Sequence, residues 1–243
     1  MDTTGSRFPY RKKKDAASLQ SWNHFVPYEH EQTPTLTVRS AVRELLETVL
    51  YIVLVFVIVR SMVQNFKIEG SSMEPSLHNE QYILVNKLVY FNFDLNAPLR
   101  MLPGSEQLPP RLVYPLGLPR RGDIIVFRFP GDIRKDYIKR VIGLPGETIA
   151  VRDGSVYIND QLLDEPYLKG QQTHCNANNS CADGTPIEVP SGTIFVMGDN
   201  RDNSSDSREW NALPLEYLIG QAWILYYPVD DLGLIPHPSY ASD

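Results

Sequence analysis

The sequence lacks three features that would identify common classes of protein. It has no basic excess, because the formal net charge is -6 and the pI is near 5.4. Without a basic surface to neutralise phosphates, a nucleic acid is not an expected partner. Cysteine and histidine are scarce, with two and five copies in 243 residues, and only one long apolar run occurs, at residues 49–59. The fraction of hydrophobic residues, 42%, still predicts a globular core.

The two cysteines lie in the polar stretch "HCNANNSCADG", which is typical of a loop. A bond between Cys175 and Cys181 would close a small ring that contributes roughly 2 kcal/mol on the loop-entropy model, and it would indicate an oxidising compartment. Two free thiols are the alternative. With His174 the stretch offers only three candidate zinc ligands, one fewer than a structural zinc site needs.

Residues 1–43 are polar, carry "YRKKK" at 10–14 and show no sustained period, which predicts a flexible cytoplasmic tail. The apolar run at 49–59 is shorter than the ~20 residues that span a bilayer, and alone it would suit a buried helix or a signal peptide. Apolar neighbours extend it to spanning length: Leu45, Leu46, Met62, Val63 and Phe66. Glu47 and Arg60 then lie near its two ends, where long side chains reach water.

No small-x-small cleavage site follows the run, so we predict an uncleaved transmembrane anchor at 44–66. Arg39, Arg43 and the basic cluster precede the anchor, which places the amino terminus in the cytoplasm by the positive-inside rule. Residues 67–243 then form an exported domain, which is consistent with an oxidised cysteine pair.

The exported segment alternates short strands with turn signals, which predicts a mainly β fold built of antiparallel strands. The predicted strands are "QYILVNKLVYF", "GDIIVFRFP", "DYIKRVIGLPG", "TIFVMGDN", "GQAWILYYPV" and the hairpin "ETIAVRDGSVYIN". The Asp153-Gly154 pair in that hairpin favours a type I′ turn. Insertions are expected at 94–118, a proline-rich loop, and at 150–192, a smaller β-rich region.

The segment "IEGSSMEPSL", residues 68–77, presents two serines directly after the anchor. They form either a polar turn or a turn that carries a nucleophile, which would need a neighbouring base. Two histidines fall in the predicted tail, and the other three are His78 in a charged turn, His174 beside a cysteine and His237 near the frayed carboxyl end. None of the five has an obvious acidic partner, and no G-x-S-x-G motif occurs, so a Ser/His/Asp triad is disfavoured.

Lysine is the other candidate base. In "DYIKRVIGLPG" Tyr137, Lys139 and Val141 share one face of a strand and Ile138, Arg140 and Ile142 share the other, so at least one cation has apolar neighbours. On an edge strand both cations would simply reach water. If Lys139 is buried without a carboxylate contact, its pKa falls by up to about 3 to 5 units and its neutral amine becomes a usable base.

The segment "GDNRDNSSDSREW", residues 198–210, is dense in hydroxyl, carboxylate and guanidinium groups. It lacks the mid-loop glycine of an EF-hand, and arginines interrupt its acidic residues, so a calcium loop is disfavoured. An ordinary hydrophilic turn is the alternative to a specific side-chain network.

Taken in order, the anchor, "GSSMEPSL", "RRGDIIVF", "YIKRVIGLPGE" and "GDNRDNSSDSR" resemble the bacterial type I signal peptidases, over about residues 45–227. These membrane-anchored Ser/Lys peptidases remove signal peptides from exported proteins. The resemblance implies that Ser72, directly before the methionine, is the nucleophile and that Lys139 is its general base. The endoplasmic-reticulum relatives carry histidine in place of the lysine, so Lys139 favours the bacterial or organellar branch.

The resemblance also implies supporting roles. It assigns a hydroxyl that holds the lysine amine to Ser204, a structural ion pair to Asp206 and Arg208, and the same supporting loop to Asp199 and Arg201. The Ser72 N–H would bind the oxyanion. Some relatives add a serine hydroxyl two residues earlier, where this chain has Gly70, so a second donor, which can be worth about 3 kcal/mol, stays open between Ser71 and another group.

The resemblance further implies cleavage after small residues at the first and third positions before the scissile bond, a preference that shallow pockets would explain. Their expected walls are Phe66, Ile68, Met73, Ile83, Val126, Tyr137 and Ile138. No metal or organic cofactor is expected. The implied partners are preproteins with signal peptides, the lipid bilayer and, by proximity, the protein export machinery. Two alternatives stay open: a self-cleaving Ser/Lys peptidase of the SOS-repressor kind, which would lack the anchor, and an anchored, non-catalytic β-domain.

Overall fold

The computed structural model describes residues 38–105, 107–175, 181, 184–238 and 240. Most of the predicted cytoplasmic tail, including "YRKKK", lies outside the described residues. The described chain contains one long helix, α1 (Val38–Met62), and one short helix, α2 (Ser207–Trp210). Four further segments form single 3-10 turns: Leu99–Met101, Pro166–Leu168, Leu215–Tyr217 and Val229–Asp231.

Helix α1 contains 25 residues and is long and apolar enough to cross a membrane. At about 1.5 Å per residue it extends about 37 Å, more than the roughly 30 Å of bilayer hydrocarbon. Near its start Arg43 and Glu47 form an i,i+4 ion pair of 2.7 Å, which neutralises the acidic residue. The helix ends at Met62, four residues before the predicted limit of the anchor, because the chain then continues as a strand in which Phe66 packs against the core.

Fourteen strands follow in the described residues. In chain order they are β1 (Val63–Lys67), β2 (Tyr82–Asn86), β3 (Phe93–Asp94), β4 (Leu112–Val113), β5 (Ile124–Phe129), β6 (Asp132–Gly143), β7 (Thr148–Arg152), β8 (Ser155–Ile158), β9 (Gln161–Leu162), β10 (Ile187–Glu188), β11 (Thr193–Met197), β12 (Leu213–Pro214), β13 (Leu218–Tyr227) and β14 (Gly233–Leu234). Eight of them form the main sheet, in the order β1-β2-β13-β5-β6-β11-β12 with β14 beside β13. All pairs are antiparallel, as the alternation of the sequence predicts.

The smaller β-rich region predicted at 150–192 is a four-stranded sheet in the order β10-β7-β8-β9. Its central hairpin turns at Asp153 and Gly154, whose φ angles of 50° and 77° are both positive, as a type I′ turn requires. Cys175 and Cys181 form a disulfide, which confirms the predicted bond and removes both sulfurs from the alternative zinc set.

The insertion at 94–118 is closed at its base by the β3–β4 pair. The carboxylate of Asp94 organises it, since the backbone N–H groups of Asn96 and Arg111 both donate to Asp94 Oδ1, at 2.9 and 2.8 Å. Regular periodicity is not needed for this order, because one partly buried acceptor joins the two ends of the loop.

Alternation along the sheet produces cores on both of its faces. On β5, Ile124 and Val126 pack with β1, β2 and β13, whereas Ile125 and Phe127 pack with residues of β6, β11 and β12. A third core joins the end of β6 and β11 to the inserted sheet. The last five residues of β6, 139–143, are therefore buried between these cores, whereas residues 133–136 of the same strand are exposed.

Candidate active site

Ser72 lies in the turn segment that follows β1. The chain bends at Gly70, whose φ of +95° is a conformation that a residue with a Cβ rarely adopts. The Gly70 N–H donates to Asn79 Oδ1 at 2.8 Å, which fixes the bend. Glycine at this position therefore has a conformational reason, although the space around it is open.

Lys139 reaches Ser72 from the centre of β6. Its Nζ lies 2.7 Å from Ser72 Oγ and 2.9 Å from the carbonyl oxygen of Ile138. Strand β6 lies between β5 and β11, although its pairing with β11 stops at Arg140, and only 4% of the surface of Lys139 is exposed. The alternative in which Lys139 and Arg140 both reach water is excluded, because Arg140 is 2% exposed.

Burial controls the charge of Lys139. Desolvation lowers the pKa of the Lys139 ammonium to about 8, although the negative charges of Asp206 and Asp199 oppose this effect. The neutral amine is thus present in an appreciable fraction at neutral pH. A neutral amine at hydrogen-bond distance from a hydroxyl can accept the proton of that hydroxyl.

The segment 198–210 forms a network of ion pairs, not a loose hydrophilic turn. Asp199 makes a bidentate pair with Arg140, with distances of 2.8 and 2.6 Å, and both side chains are buried. Asp206 pairs with Arg208, with distances of 2.8 and 2.9 Å. Burial disfavours the charged Asp206 carboxylate, but the hydrogen bonds and the charge of Arg208, together with the Gly198 N–H and the Ser204 hydroxyl, outweigh burial and lower the pKa of Asp206.

Arg201 connects this network to the inserted region. Its guanidinium pairs with Glu165 and contacts the Thr173 hydroxyl. Arg208 Nη1 donates to the carbonyl oxygen of His174, beside the disulfide, at 3.1 Å. The part of the insertion that follows β9 thus supports the loop that lies behind Lys139.

A cleft of about 640 Å³ opens beside Ser72 and Lys139. Two cross-strand pairs form its apolar surface: Phe66 with Ile83, and Val126 with Ile138. Since the partners of such a pair point to the same face of the sheet, these side chains line one wall together. Ile83 and Val126 are almost fully buried, so this part of the cleft is formed by residues of the core.

The sequence matches the family described as "Signal peptidase, peptidase S26" over residues 42–227. The chain belongs to the signal peptidase family. The matched region includes α1 from residue 42, the Ser72 turn, β6 and the network at 198–210. Together with α1, membership of this family fits a single-pass membrane protein.

Individual relatives agree with the family match. The probable signal peptidase I-2 of Synechocystis sp. is 32% identical over 199 residues, which cover 79% of this chain and 76% of the relative. Signal peptidase I U of Bacillus subtilis is 35% identical, over 77% of this chain and 88% of the relative. The crystal structure of a signal peptidase I from Enterococcus faecalis V583 is 34% identical, covers 43% of this chain and 97% of its own, and has a TM-score of 0.37.

In this S26 peptidase most of the residues expected to form the substrate pocket do line the cleft: Phe66, Ile68, Ile83, Val126, Tyr137 and Ile138. Met73 does not line it. The turn directs Met73 into the core with Ile68 and Ile83, and it is only 1% exposed. No described residue of the 94–118 insertion lines the cleft, so this part of the insertion does not form a wall of the site.

The predicted contact between Ser204 and the lysine amine is not made. Lys139 Nζ donates to Ser72 and to the Ile138 carbonyl, and Ser204 Oγ is buried without a hydrogen-bond partner of standard geometry. The Ser204 hydroxyl nevertheless helps to lower the pKa of Asp206, so it lies within electrostatic reach of that carboxylate. A buried hydroxyl without a partner is costly and is available to a group that moves next to it.

Sequence reasoning missed three contributors to this peptidase site. Arg140 was recognised as a cation in a strand, but its partner Asp199 lies 59 residues away and no local pattern connects them. Glu165 lies in the insertion, where nothing in the sequence points to Arg201. Asn200 lies inside the segment 198–210, but its hydrogen bonds to the carbonyl oxygens of Ser71 and Ser72 depend on the tertiary fold.

His237 does not provide an alternative base. Its Nδ1 accepts from the Ile124 N–H at 3.2 Å and its Nε2 lies 2.9 Å from the Ala222 carbonyl oxygen, so both ring nitrogens bond to backbone groups of β5 and β13. These two bonds hold His237 against the sheet. Asp123 is 3.7 Å away, and burial lowers the pKa of His237.

Proposed function

We propose that this chain is a membrane-anchored serine endopeptidase that removes signal peptides from exported preproteins, with Ser72 as nucleophile and Lys139 as general base. The observation that carries the proposal is the 2.7 Å contact between Ser72 Oγ and a buried lysine amine whose pKa is lowered to about 8. The family model, which covers residues 42–227, supports the same substrate class.

The reaction begins when neutral Lys139 accepts the proton of Ser72 and Ser72 Oγ adds to the carbonyl carbon of the scissile peptide. The Ser72 N–H stabilises the oxyanion. Protonated Lys139 then gives its proton to the leaving amine, and an acyl-enzyme forms. Water resolves the ester by the reverse proton transfers, so Lys139 ends the cycle neutral.

The shape of the cleft supports cleavage after Ala-x-Ala sites. Ile83 and Val126 line the cleft and belong to the packed core, so a substrate side chain longer than alanine could enter beneath them only by displacing core atoms. Pairing of β11 with β6 extends only from Gly143 to Arg140, so the segment of β6 before Arg140 offers an open edge on the cleft side within the described residues. An extended substrate can add to this edge by main-chain hydrogen bonds, which suits an enzyme with many substrates.

In this proposal α1 anchors the enzyme in the lipid bilayer, with the tail at 1–43 in the cytoplasm and residues 67–243 on the outer side. The disulfide, which suits an oxidising compartment, supports this orientation. Signal peptides emerge from the export machinery at the same side of the membrane, so enzyme and substrate meet there.

Replacing Ser72 with alanine is expected to abolish processing of a preprotein with an Ala-x-Ala site, because the attacking oxygen is lost. Ser71→Ala removes an exposed neighbouring hydroxyl and is the matched control, for which we expect a change of less than about tenfold, since it keeps the nucleophile. The measurement incubates detergent-solubilised enzyme with the preprotein and sequences the new amino terminus. Full activity of both Ser72→Ala and Ser71→Ala would support the non-catalytic alternative. An inactive Ser71→Ala with an active Ser72→Ala would mean that Ser71, not Ser72, is the nucleophile.

The pH profile provides a separate prediction. The base must be neutral, and the pKa of Lys139 is about 8, so kcat/KM is expected to rise about tenfold per pH unit below 8 and to level off above it. The profile is measured with a short peptide containing the cleavage site, to avoid effects of detergent on the preprotein. A profile that rises through pH 6 to 7 and is flat at 8 would indicate a base other than this lysine.

A further inference from the structure

The peptide unit that joins Ser71 to Ser72 is held from two directions. Its carbonyl oxygen, Ser71 O, accepts from the Glu74 N–H at 3.1 Å within the turn and from the Asn200 side chain at 3.0 Å. The next carbonyl oxygen, Ser72 O, accepts from the Asn200 N–H, also at 3.0 Å. Asn200 therefore bonds to the nucleophile turn twice, once by its side chain and once by its backbone.

The side-chain bond fixes the direction of the group that binds the oxyanion. A peptide unit is planar, and its C=O and N–H point in opposite directions within the plane. Since the Ser71 carbonyl and the Ser72 N–H belong to one unit, a hydrogen bond that fixes the carbonyl also fixes the N–H. In the part of the chain that the structure describes, the Ser72 N–H has no acceptor, so it is free to bind an oxyanion.

We propose that Asn200 is a positioning residue that aligns the Ser72 N–H with the developing oxyanion. The inference rests on the proposed function. The alignment of the Ser72 N–H matters more in this chain because Gly70 carries no hydroxyl and the Gly70 N–H already donates to Asn79. The Ser72 N–H then carries a larger share of the oxyanion stabilisation than in a site with a second hydroxyl donor.

Two observations matter for the test: the orientation of the Asn200 side-chain amide is determined, and the side chain is not part of the core. Its Nδ2 must face Ser71, because a carbonyl oxygen can only accept, and Asn203 Nδ2 lies 3.3 Å from Asn200 Oδ1, which agrees with this orientation. Asn200 is half-exposed, and its backbone bond to Ser72 does not depend on the side chain. Truncating the side chain therefore leaves no large cavity and keeps the loop in contact with the turn.

The test is Asn200→Ala in the full chain. We expect kcat for the peptide substrate to fall about 10- to 100-fold, less than the loss of a whole oxyanion donor, with KM changed less than about twofold. The midpoint of the pH profile stays at the wild-type value, because no charge near Lys139 changes. Asn92→Ala is the control variant, because it also removes one hydrogen bond from a side-chain amide to a backbone carbonyl oxygen, that of Tyr90, away from the cleft. It should retain wild-type rates.

A peptide aldehyde that ends in Ala-x-Ala distinguishes alignment from scaffolding. Ser72 Oγ adds to the aldehyde carbon, its proton passes to Lys139, and the carbonyl oxygen becomes an oxyanion that needs the Ser72 N–H. The product peptide, which ends in a carboxylate, forms no such bond to Ser72. We expect Asn200→Ala to lower the affinity for the aldehyde by the same factor as it lowers kcat/KM, and to leave the affinity for the product peptide unchanged.

An equal loss of affinity for the aldehyde and for the product peptide would overturn the inference and make Asn200 a scaffold residue. A lower melting temperature together with a raised KM would do the same. Unchanged kinetics in Asn200→Ala would also overturn it. Neither result bears on the proposed function, which fails only if the wild-type enzyme does not cleave the preprotein or if Ser72→Ala still does.

Discussion

Lys139→Met is expected to lower kcat/KM for preprotein cleavage by at least about 10³-fold, the upper part of the range for a lost general base. Methionine fills a similar volume and keeps the strand apolar, but it cannot accept the Ser72 proton. The loss should appear in kcat, because Lys139 contacts Ser72 Oγ and, at 4% exposure, contributes little to the surface that binds substrate. The variant is measured against wild type at pH 9, where the wild-type amine is neutral.

The same substitution has a second expected result that separates lost chemistry from misfolding. The pKa of Lys139 is about 8 in the folded chain, below the ordinary value of 10.5. The folded state therefore binds this proton more weakly than the unfolded state, which reduces stability in full below about pH 8 and not at all well above 10.5. Methionine removes this cost, so at pH 7 the melting temperature should stay at or above the wild-type value.

Lys135→Met is the matched control for this variant. Lys135 lies four residues earlier in the same strand, also at the cleft, and its side chain is 63% exposed. We expect it to keep kcat within a few-fold. If Lys139→Met cleaves at a comparable rate to Lys135→Met, then the base is another group and the Ser/Lys mechanism is wrong.

The strands were predictable because the core leaves a local signal. Alternation of Val, Ile, Tyr and polar residues predicts the strands around β5, β6, β11 and β13, and Asp-Gly predicts the turn of the inserted hairpin. The end of α1 was not predictable in this way. Val63 and Phe66 are as apolar as the residues before them, and only pairing with β2 decides that they form a strand.

The same distinction between local signals and long-range packing applies to the candidate site. The residues alone show two serines in a turn and a lysine with apolar neighbours, and the resemblance to the family then selects Ser72 and Lys139. The sequence cannot show that Arg140 meets Asp199, or that Met73 turns away from the cleft, because both depend on how distant segments pack. The position of Gly70 illustrates the difference: the missing hydroxyl is visible in the sequence, whereas the positive φ that glycine permits there is visible only in the structure.

The second prediction with a large expected effect concerns the ion pair between Arg140 and Asp199. Both side chains are almost fully buried, at 2% and 0% exposure, and the carboxylate accepts two hydrogen bonds from the guanidinium. Asp199→Asn keeps the shape but removes the negative charge, so Arg140 is left as an uncompensated buried cation. Breaking a buried pair in this way costs about 3 to 5 kcal/mol in the free energy of unfolding, or roughly 10 °C in melting temperature for a domain of this size.

Asp160→Asn is the matched control, because Asp160 pairs with Arg152 at the surface, where its side chain is 78% exposed and solvent screens the charge. It should leave the melting temperature almost unchanged.

Asp199→Asn should also shift the activity profile, because the Asp199 carboxylate opposes the desolvation that lowers the pKa of Lys139. Without that charge the pKa of Lys139 falls further below 8, and the amine becomes neutral at lower pH. The midpoint of kcat/KM therefore moves towards acid in the fraction of enzyme that stays folded, and it is measured at a temperature well below the lowered melting point. A midpoint that stays at 8 or moves towards alkali, together with reduced stability, would mean that Asp199 supports the fold alone and that the charge of Lys139 is set without it.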